Sequence, residues 1–460
     1  MKFMLNKLFL GVFFVLLVSS CKQKQEAPVA EENKNPNEDL IAQLETAATT
    51  NLIDKWYPLV IDSTDGGYYS DVTYDFELGE TKTKMIVSQA RHIWTTSKAA
   101  ELYPDSSSSY LNYAKHGFEF LRDVMWDKEN GGFHNLITKQ GKPISKYGED
   151  KTAYGNSFAI YALAEYYRAS KNEEALELAK TTFNWLEEHS HDQEYKGYYQ
   201  SLKLDGTPIE RTADLESTSE VGYKDQNSSI HLLEAFTNLY EVWPDGVVAE
   251  RINELLVLIR DTITTEKGYM NLFFEKDWTP VTYKDQSNEE IKKHYYLDHV
   301  SFGHDVETAY LMLEASHAIG IKNDTLTLNK GKIMVDHALN NGFDNEVGGF
   351  YDGGYYFKGD DKITVVNEEK NWWSQAEGLN TLLLMNHYFP EDKINYREHF
   401  DKLWDYTQKY TMDTEHGGWY EWGIDKTPSS KTALKGQIWK TTYHNFRALT
   451  NCIEQLKKEN

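Results

Sequence analysis

From about residue 40, the chain alternates between two kinds of helical pattern. One kind has polar residues along one face, as in 113–126, 175–189 and 249–262. The other kind is apolar on most sides, as in 158–163 and 379–385. A helix with one polar face is expected at the surface, whereas a helix that is apolar all round is expected in the interior. The pattern therefore predicts polar outer helices that alternate with buried inner helices.

A glycine turn lies between each outer helix and the following inner helix. It combines a polar residue, one or two glycines and an aromatic residue, and its reference glycines are Gly67, Gly132, Gly197, Gly268, Gly349 and Gly418. Glycine can adopt the positive φ that a sharp turn after a helix requires. Six repeats of a helix pair, 65 to 81 residues apart, predict two concentric rings. We therefore expect an all-α (α/α)6 barrel of six inner and six outer helices, forming one domain over residues 40–460.

The start of the chain does not follow this repeat. Lys2 and Lys7 flank the beginning, the apolar run 8–18 is too short to span a bilayer comfortably, and small residues then lead to Cys21. This pattern resembles a bacterial lipobox. We therefore expect a lipoprotein signal peptide at 1–20, lipidation of Cys21, and a membrane-anchored protein in the bacterial cell envelope, on the periplasmic or outer-membrane face. An ordinary secretory signal is the alternative.

A tether is predicted between the lipid and the barrel. Residues 21–39 contain no aromatic residue and are rich in Glu, Asn, Lys and Pro, a composition typical of flexible segments. Cys452 is the only other cysteine. With Cys21 acylated, no disulfide can form within the chain, so stability must come from packing.

Composition narrows the class of partner. The formal net charge of −24 repels phosphate backbones, which argues against a nucleic-acid partner. The chain contains 12 Trp, 31 Tyr and 20 Phe, and such a load suits stacking on sugar rings, although most aromatic residues of a protein lie in its core. The aromatic load is therefore no more than a hint of a carbohydrate partner, and we expect a monomer.

Polar and aromatic residues recur near the start of each predicted inner helix. They lie at a matching phase, which means the same position relative to the helix start. They are Arg91, Tyr154, Asn156, Asn227, His231, His304, Glu307, Trp373, Glu377, Trp439 and His444. In a closed ring the same end of every inner helix faces one central cavity, so we expect these side chains to converge. His304 and Glu307 share a helix face, and a carboxylate beside an imidazole raises its pKa and orients its ring.

Histidines, an arginine and tryptophans around one cavity suit proton transfer next to a sugar carbonyl. Imidazole can remove the proton alpha to an aldehyde, and Arg91 can stabilise the enediolate that develops. A second histidine on the opposite side of the carbon would return a proton and invert it. This chemistry needs no cofactor and no metal. The histidines do not form a His-Glu-x-x-His pattern, but His304 and Glu307 with help from His231 leave a metal site open as an alternative.

Six segments resemble the N-acylglucosamine 2-epimerase superfamily, most closely its cellobiose and mannobiose 2-epimerase branch. The resemblance covers the whole domain and rests on residues 89–91, 154–163, 227–235, 303–307, 372–377 and 439–445. It implies that His304 and His444 are the acid/base pair at C2 of a ring-opened reducing-end sugar, and that Glu307 supports His304. It also implies a set of substrate-binding residues that hold hydroxyls or stack on the sugars: Arg91, Tyr154, Asn227, His231, Trp373, Glu377 and Trp439. The resemblance implies a disaccharide or oligosaccharide substrate. A lipidated N-terminus departs from the many cytoplasmic members of the family and favours an oligosaccharide met outside the inner membrane.

Other functions on the same fold stay open. An aldose–ketose isomerase would share the enediolate and release a ketose, and an N-acetylglucosamine 2-epimerase would differ in its substrate. An inverting glycosidase could use Glu307 and Glu377 as its two carboxylates, but this leaves the three histidines unexplained. A non-catalytic glycan-binding lipoprotein would bind sugars without turnover.

Overall fold

The computed structural model describes residues 37–146, 148–212 and 220–459. The predicted signal peptide, Cys21 and most of the predicted tether lie outside these residues. The tether prediction runs too far, because Asn37 is buried and the first helix begins at Glu38. Within the described part of the chain, no helix is both long and apolar enough to cross a bilayer.

The described residues form fourteen α-helices, which are numbered in chain order. They are α1 (Glu38–Ala48), α2 (Asp54–Trp56), α3 (Ile86–Leu102), α4 (Ser107–Phe120), α5 (Ala153–Ser170), α6 (Glu173–His189), α7 (Gln226–Val242), α8 (Gly246–Leu258), α9 (Asn288–Asp298), α10 (Phe302–Ala318), α11 (Thr325–Gly342), α12 (Trp372–Tyr388), α13 (Tyr396–Tyr406) and α14 (Tyr443–Lys458). Four of them continue into a π-helical turn, at Thr49–Ile53, Leu121–Met125, Ile259–Ile263 and Thr407–Thr411.

Two concentric rings are built from these helices, which confirms the predicted (α/α)6 barrel. Each inner helix contacts the next in the order α3, α5, α7, α10, α12 and α14, and α14 contacts α3, so the ring closes. Each inner helix also packs against one outer helix, in the pairs α3 with α4, α5 with α6, α7 with α8, α10 with α11, α12 with α13, and α14 with α1. The sequence pattern predicts inner helices that begin near residues 91, 156, 229, 305, 375 and 445. In the structure they begin two to five residues earlier, at Ile86, Ala153, Gln226, Phe302, Trp372 and Tyr443.

Short antiparallel strands connect neighbouring helix pairs at the end of the barrel where the inner helices begin. Four ladders form in the described residues: β1 (Lys84–Met85) with β2 (Leu136–Ile137), β3 (Lys151–Thr152) with β4 (Ser201–Leu202), β5 (Lys224–Asp225) with β6 (Phe273–Phe274), and β7 (Val300–Ser301) with β8 (Gly353–Tyr355), which also pairs with β9 (Thr364–Asn367). The first strand of each ladder leads directly into an inner helix. Strands of two residues carry no alternating pattern, so the sequence does not reveal them.

A buried ion pair fixes the start of four inner helices. A lysine two residues before α3, α5, α7 and α12 pairs with an aspartate in the preceding glycine turn, at 2.7–2.9 Å, in Lys84–Asp62, Lys151–Asp127, Lys224–Asp192 and Lys370–Asp344. The lysines are 0–2% exposed. In the fourth repeat, which begins α10, Thr265 and Val300 stand at the corresponding positions. The four pairs therefore fix their own glycine turns to the mouth of the barrel.

Removing one partner of such a pair should destabilise the protein strongly. In Asp192→Ala the ammonium of Lys224 would stay buried without its carboxylate, and we expect a loss of roughly 3–5 kcal/mol in the free energy of unfolding, measured in urea. Asp192→Thr with Lys224→Val, which copies the fourth repeat, should lose less. As a control, Asp405→Ala breaks the exposed pair with Lys409 and should cost less than about 1 kcal/mol. Equal losses for Asp192→Ala and Asp405→Ala would contradict this interpretation.

Candidate active site

The three predicted histidines lie close to one another at the mouth of the inner ring. The ring of Trp373 lies 4.6 Å from that of His304 and 5.9 Å from that of His444, measured between centroids. His231 connects to His444 through two intervening side chains: its Nδ1 lies 2.8 Å from Glu234, Glu234 accepts from the hydroxyl of Tyr443, and the ring of Tyr443 lies 4.7 Å from that of His444. Side chains from α7, α10, α12 and α14 therefore meet at one cavity, as the matching phase predicted.

Arg91 and its neighbours form another part of the same site, beside His231. The Arg91 Nη2 donates to the hydroxyl of Tyr154 at 3.2 Å, and its Nη1 donates to the carbonyl oxygen of Trp439 at 2.5 Å. The ring of Tyr154 lies 5.2 Å from that of His231 and 6.2 Å from that of Trp439. Arg91 is 4% exposed, and its Nε has no hydrogen-bond partner. A buried, fixed cation of this kind can stabilise a developing oxyanion.

His304 is held by a hydroxyl and not by the predicted carboxylate. Its Nδ1 lies 2.8 Å from the Oγ of Ser301, in the strand that precedes α10. Gly303 allows α10 to approach α12, because a Cβ there would lie 1.9 Å from the Oγ of Ser374. The prediction that Glu307 supports His304 is wrong: residues three apart share a helix face, but the carboxylate of Glu307 is bound by Arg447 from α14.

His444 and His231 are each backed by a carboxylate. The Nδ1 of His444 lies 2.7 Å from the Oε1 of Glu377 and 3.8 Å from the Oε1 of Glu307. The Nδ1 of His231 lies 2.8 Å from the Oε2 of Glu234. The resemblance implied that Glu377 bonds a sugar hydroxyl, whereas in the structure its Oε1 serves His444; its Oε2 is buried without a partner.

Behind these histidines lies a cluster of charges around Arg447. Its Nη2 donates to the Oε1 of Glu307 at 2.7 Å and lies 2.8 Å from the Oε1 of Glu377, and its Nη1 donates to Glu234. The hydroxyl of Tyr443 also donates to Glu234. Arg447 is 2% exposed, and the three carboxylates are 0–3% exposed.

Burial dominates the ionisation of the site. It lowers the pKa of His304 to about 3, with help from His231, and it lowers the pKa of His444 well below its usual range. Burial also raises the pKa of Glu307 and of Glu377 to about 7. For Glu234 the raising effect of burial is outweighed by Arg447 together with His231 and Tyr443, and the pKa falls to about 2. Near neutral pH both histidines are therefore uncharged, while the Glu307 and Glu377 pair exchanges protons.

Asn156 and Asn227, which the sequence placed at the same phase as the other site residues, have different surroundings from those residues. Asn156 accepts from the backbone N–H of Phe133 at 2.9 Å, so it supports a glycine turn. Asn227 lies one turn before His231 on α7, and its buried Oδ1 has no hydrogen-bond partner.

The roles predicted for the catalytic and substrate-binding residues stay predictions, since geometry places them together without testing what they do.

Sequence reasoning missed the residues that hold the histidines. Glu234 and Arg447 each lie three positions after a candidate histidine, on an otherwise apolar inner helix. A charge at this spacing on an apolar face is the signal that could have identified them. Ser301 carried no such signal, because it precedes its helix.

One group of side chains in the described residues has the spacing of metal ligands. Ligand atoms of Glu307, Glu377 and His444 lie within 4.8 Å of one another. The Oε1 atoms of both glutamates face Arg447, so a guanidinium already lies where a cation would bind. His304 with Glu307 and His231, the set left open by the sequence, is not this group.

A cleft continues from the site toward solvent. It has a volume of about 410 Å³ and is lined by Tyr154, Trp439 and Ile438, together with polar side chains such as Asn135, Gln200 and Glu149. Trp439 is 46% exposed and offers its ring to this space. Clefts of roughly 300–1,000 Å³ hold small-molecule ligands.

The chain is similar to known proteins both in sequence and in structure. Cellobiose 2-epimerase of Bacteroides fragilis is 28% identical over 424 residues, which cover 91% of this chain and 99% of that protein. The structure of cellobiose 2-epimerase from Spirochaeta thermophila superposes with a TM-score of 0.76 and 28% identity, covering 92% of this chain and 97% of that one. A more distant relative, D-mannose isomerase of Thermobifida fusca, is 22% identical over 371 residues, covering 78% of this chain and 84% of that one.

The closed double ring and its histidine-lined mouth define an enzyme of the carbohydrate epimerase and isomerase class. Residues 67–448 match the model of the N-acylglucosamine 2-epimerase (GlcNAc 2-epimerase) family. The chain belongs to this family.

The ionisation of Glu377 should limit activity in acid. Below a pH of about 7 Glu377 gains a proton and would donate to the Nδ1 of His444, which places the ring proton on Nε2 and removes the base. We expect kcat/KM to fall as the pH decreases from about 7.5 to 5.5. Glu314→Gln is the control, since burial raises the pKa of Glu314 to about 7 as well, and its hydrogen-bond partner is the hydroxyl of Tyr310 and not a histidine. A flat profile, or a profile that changes in Glu314→Gln, would contradict the assignment.

Proposed function

We propose that this protein is a sugar 2-epimerase that inverts C2 of the reducing-end residue of a β-linked disaccharide of the cellobiose or mannobiose type. The observation that carries the proposal is that His304 and His444, from different helices, both lie against the ring of Trp373, at 4.6 and 5.9 Å between centroids. Arg91 and Tyr154, which are bonded to each other, lie beside His231 in the same site. Two imidazoles that reach one sugar carbon from different helices can remove and return its proton.

The reaction would proceed through an enediolate. After ring opening, one of His304 and His444 removes the C2 proton, the electron pair enters the C1–C2 bond, and the negative charge moves to O1. Arg91, whose Nε has no protein partner, would stabilise this oxygen. After rotation about the C2–C3 bond, the other histidine protonates the opposite face of C2, and the ring closes. Asn227 and His231 would hold hydroxyls, and Trp373 and Trp439 would stack on the two sugars.

The comparisons support the disaccharide substrate. Proteins named cellobiose 2-epimerases match nearly the full length of this chain. The cleft beside Trp439 provides space for a second sugar ring. The D-mannose isomerase relative makes an aldose–ketose isomerase the second candidate, because the enediolate is common to both reactions and only the carbon that receives the proton differs.

Product analysis separates these candidates. We expect the protein to convert cellobiose to glucosyl-mannose, or mannobiose to mannosyl-glucose, as detected by NMR. N-acetylglucosamine and mannose, incubated in parallel, should react more slowly, because neither fills the cleft. A ketose as the main product would identify an isomerase, and release of monosaccharides would identify a glycosidase; either result would overturn the proposal.

Both histidines should be essential for turnover. His304→Ala and His444→Ala each remove a proton-transfer group, and we expect kcat to fall by at least about 10²–10⁴-fold in each variant. Circular dichroism should show that both variants stay folded. His317→Ala, at the exposed far end of the same helix as His304, is the matched control and should retain full activity. Retention of activity in His444→Ala would exclude the two-histidine mechanism.

We further propose that the enzyme is a monomeric lipoprotein of the cell envelope, anchored through Cys21. The support is the lipobox-like pattern of the sequence alone. In cells fed an alkyne fatty acid, the protein should be labelled and should sediment with membranes. Cys21→Ser should lose the label, while Cys452→Ser, which changes a buried cysteine of α14, should keep it. Equal labelling of the two variants would refute lipidation at Cys21.

A further inference from the structure

Arg447 lies behind the proposed catalytic histidines and not among the residues that line the sugar cleft. It lines a separate polar cavity with Glu234, Glu165 and Glu314, formed by the later turns of the inner helices. Its guanidinium reaches Glu234 on α7, Glu307 on α10 and Glu377 on α12. One side chain of α14 therefore connects three other inner helices.

Two of these carboxylates also contact the Nδ1 of a histidine. Glu377 contacts the Nδ1 of His444 at 2.7 Å, and Glu234 contacts the Nδ1 of His231 at 2.8 Å. An ionised carboxylate can only accept a hydrogen bond, so each histidine must then carry its proton on Nδ1. The structure gives the Nε2 of these two rings no protein hydrogen bond within the described residues.

We propose that Arg447 is a positioning residue for the proposed epimerisation: by donating to Glu377 and Glu234 it keeps them as acceptors, and it thereby presents the Nε2 of His444 and His231 without a proton. The inference rests on the proposed function for its consequence, since a bare Nε2 on His444 is the form that can remove the C2 proton. The tautomers that it predicts for the two rings do not depend on that function.

The need for a cation follows from the crowding of the carboxylates. Burial and mutual repulsion favour the protonated forms of Glu307 and Glu377, whose pKa values are raised to about 7 even with Arg447 present. Without the guanidinium, Glu377 would keep a proton to higher pH and would donate to His444, which reverses that hydrogen bond. His304, held by the Ser301 hydroxyl, would not be affected in this way.

The cluster faces charged or titratable groups from all six inner helices. They are Arg91 of α3, His231 and Glu234 of α7, His304, Glu307 and Tyr310 of α10, Glu377 of α12, and Tyr443 and His444 of α14. The phenols of Tyr154 and Tyr161 from α5 complete the surroundings, with pKa values raised by burial. Arg447 and Arg91 are the two arginines of this set.

The direct test is the histidine tautomer in the wild-type protein. Long-range ¹H–¹⁵N spectra of ¹⁵N-histidine-labelled enzyme at pH 8 should show His444 and His231 protonated on Nδ1, assigned with His444→Gln and His231→Gln. Protonation on Nε2 in both rings would overturn the proposal. Because this measurement needs no substrate, it stands even if the protein does not epimerise any disaccharide.

Substitutions then test the role of the guanidinium. Arg447→Lys keeps a charge that cannot span three carboxylates, and Arg447→Met removes it. We expect kcat to fall by about 10²-fold or more in Arg447→Met, with KM changed less than about threefold, and the acid limb of the pH profile to move upward by about one unit. Arg447→Lys should lie between the two enzymes. If Arg447→Met does not fold, Arg447→Lys and the tautomer spectra still decide the question.

Arg251→Met provides a matched control. Arg251 also bridges two glutamates, Glu187 and Glu254, but on the outer ring. It should keep the wild-type pH profile and tautomers. If Arg447→Lys and Arg447→Met lower kcat without moving the pH limb or either tautomer, Arg447 is only a structural residue and the proposal fails.

Discussion

The position of the inner helices depends on a constraint at their first residues. A buried lysine, paired with an aspartate of the preceding glycine turn, fixes where α3, α5, α7 and α12 begin, and short ladders connect the starts of α3, α5, α7 and α10 to the next repeat. Because the ring closes through α14 and α3, all these starts lie at one mouth. Residues from distant parts of the chain can therefore meet there, and the site needs no long loop to bring them together.

Burial then controls the chemistry at that mouth. Taking His304 and His444 out of water lowers the pKa of both rings, so that both can accept a proton at neutral pH. The same burial favours protonation of the three glutamates behind them, and Arg447 opposes this effect at each of them. A deeply buried cation and its carboxylates thus set the form of the histidines, while the exposed ring of Trp439 is left to meet the substrate.

The ring architecture and the convergence of the site were predictable, whereas the pairings inside the site were not. Alternating helix types and six glycine turns indicated the barrel, and matching phase placed Arg91, His304 and His444 at one cavity. Spacing along a helix reports only a shared face, so Glu307 was matched with its neighbour His304 when the closer partner comes from α14. The partnership of Glu377 with His444 also joins two helices, and no local pattern reports it.

The central claim is that a proton leaves and returns at a single sugar carbon. Turnover of cellobiose in D₂O, with the 2-epimer isolated and its C2 position read by NMR and mass spectrometry, measures this directly. The account predicts one deuterium at C2 of the epimerised residue and none at C3. Product that keeps protium at C2 throughout would show that the carbon inverts by another route, and the two-histidine mechanism would have to be abandoned.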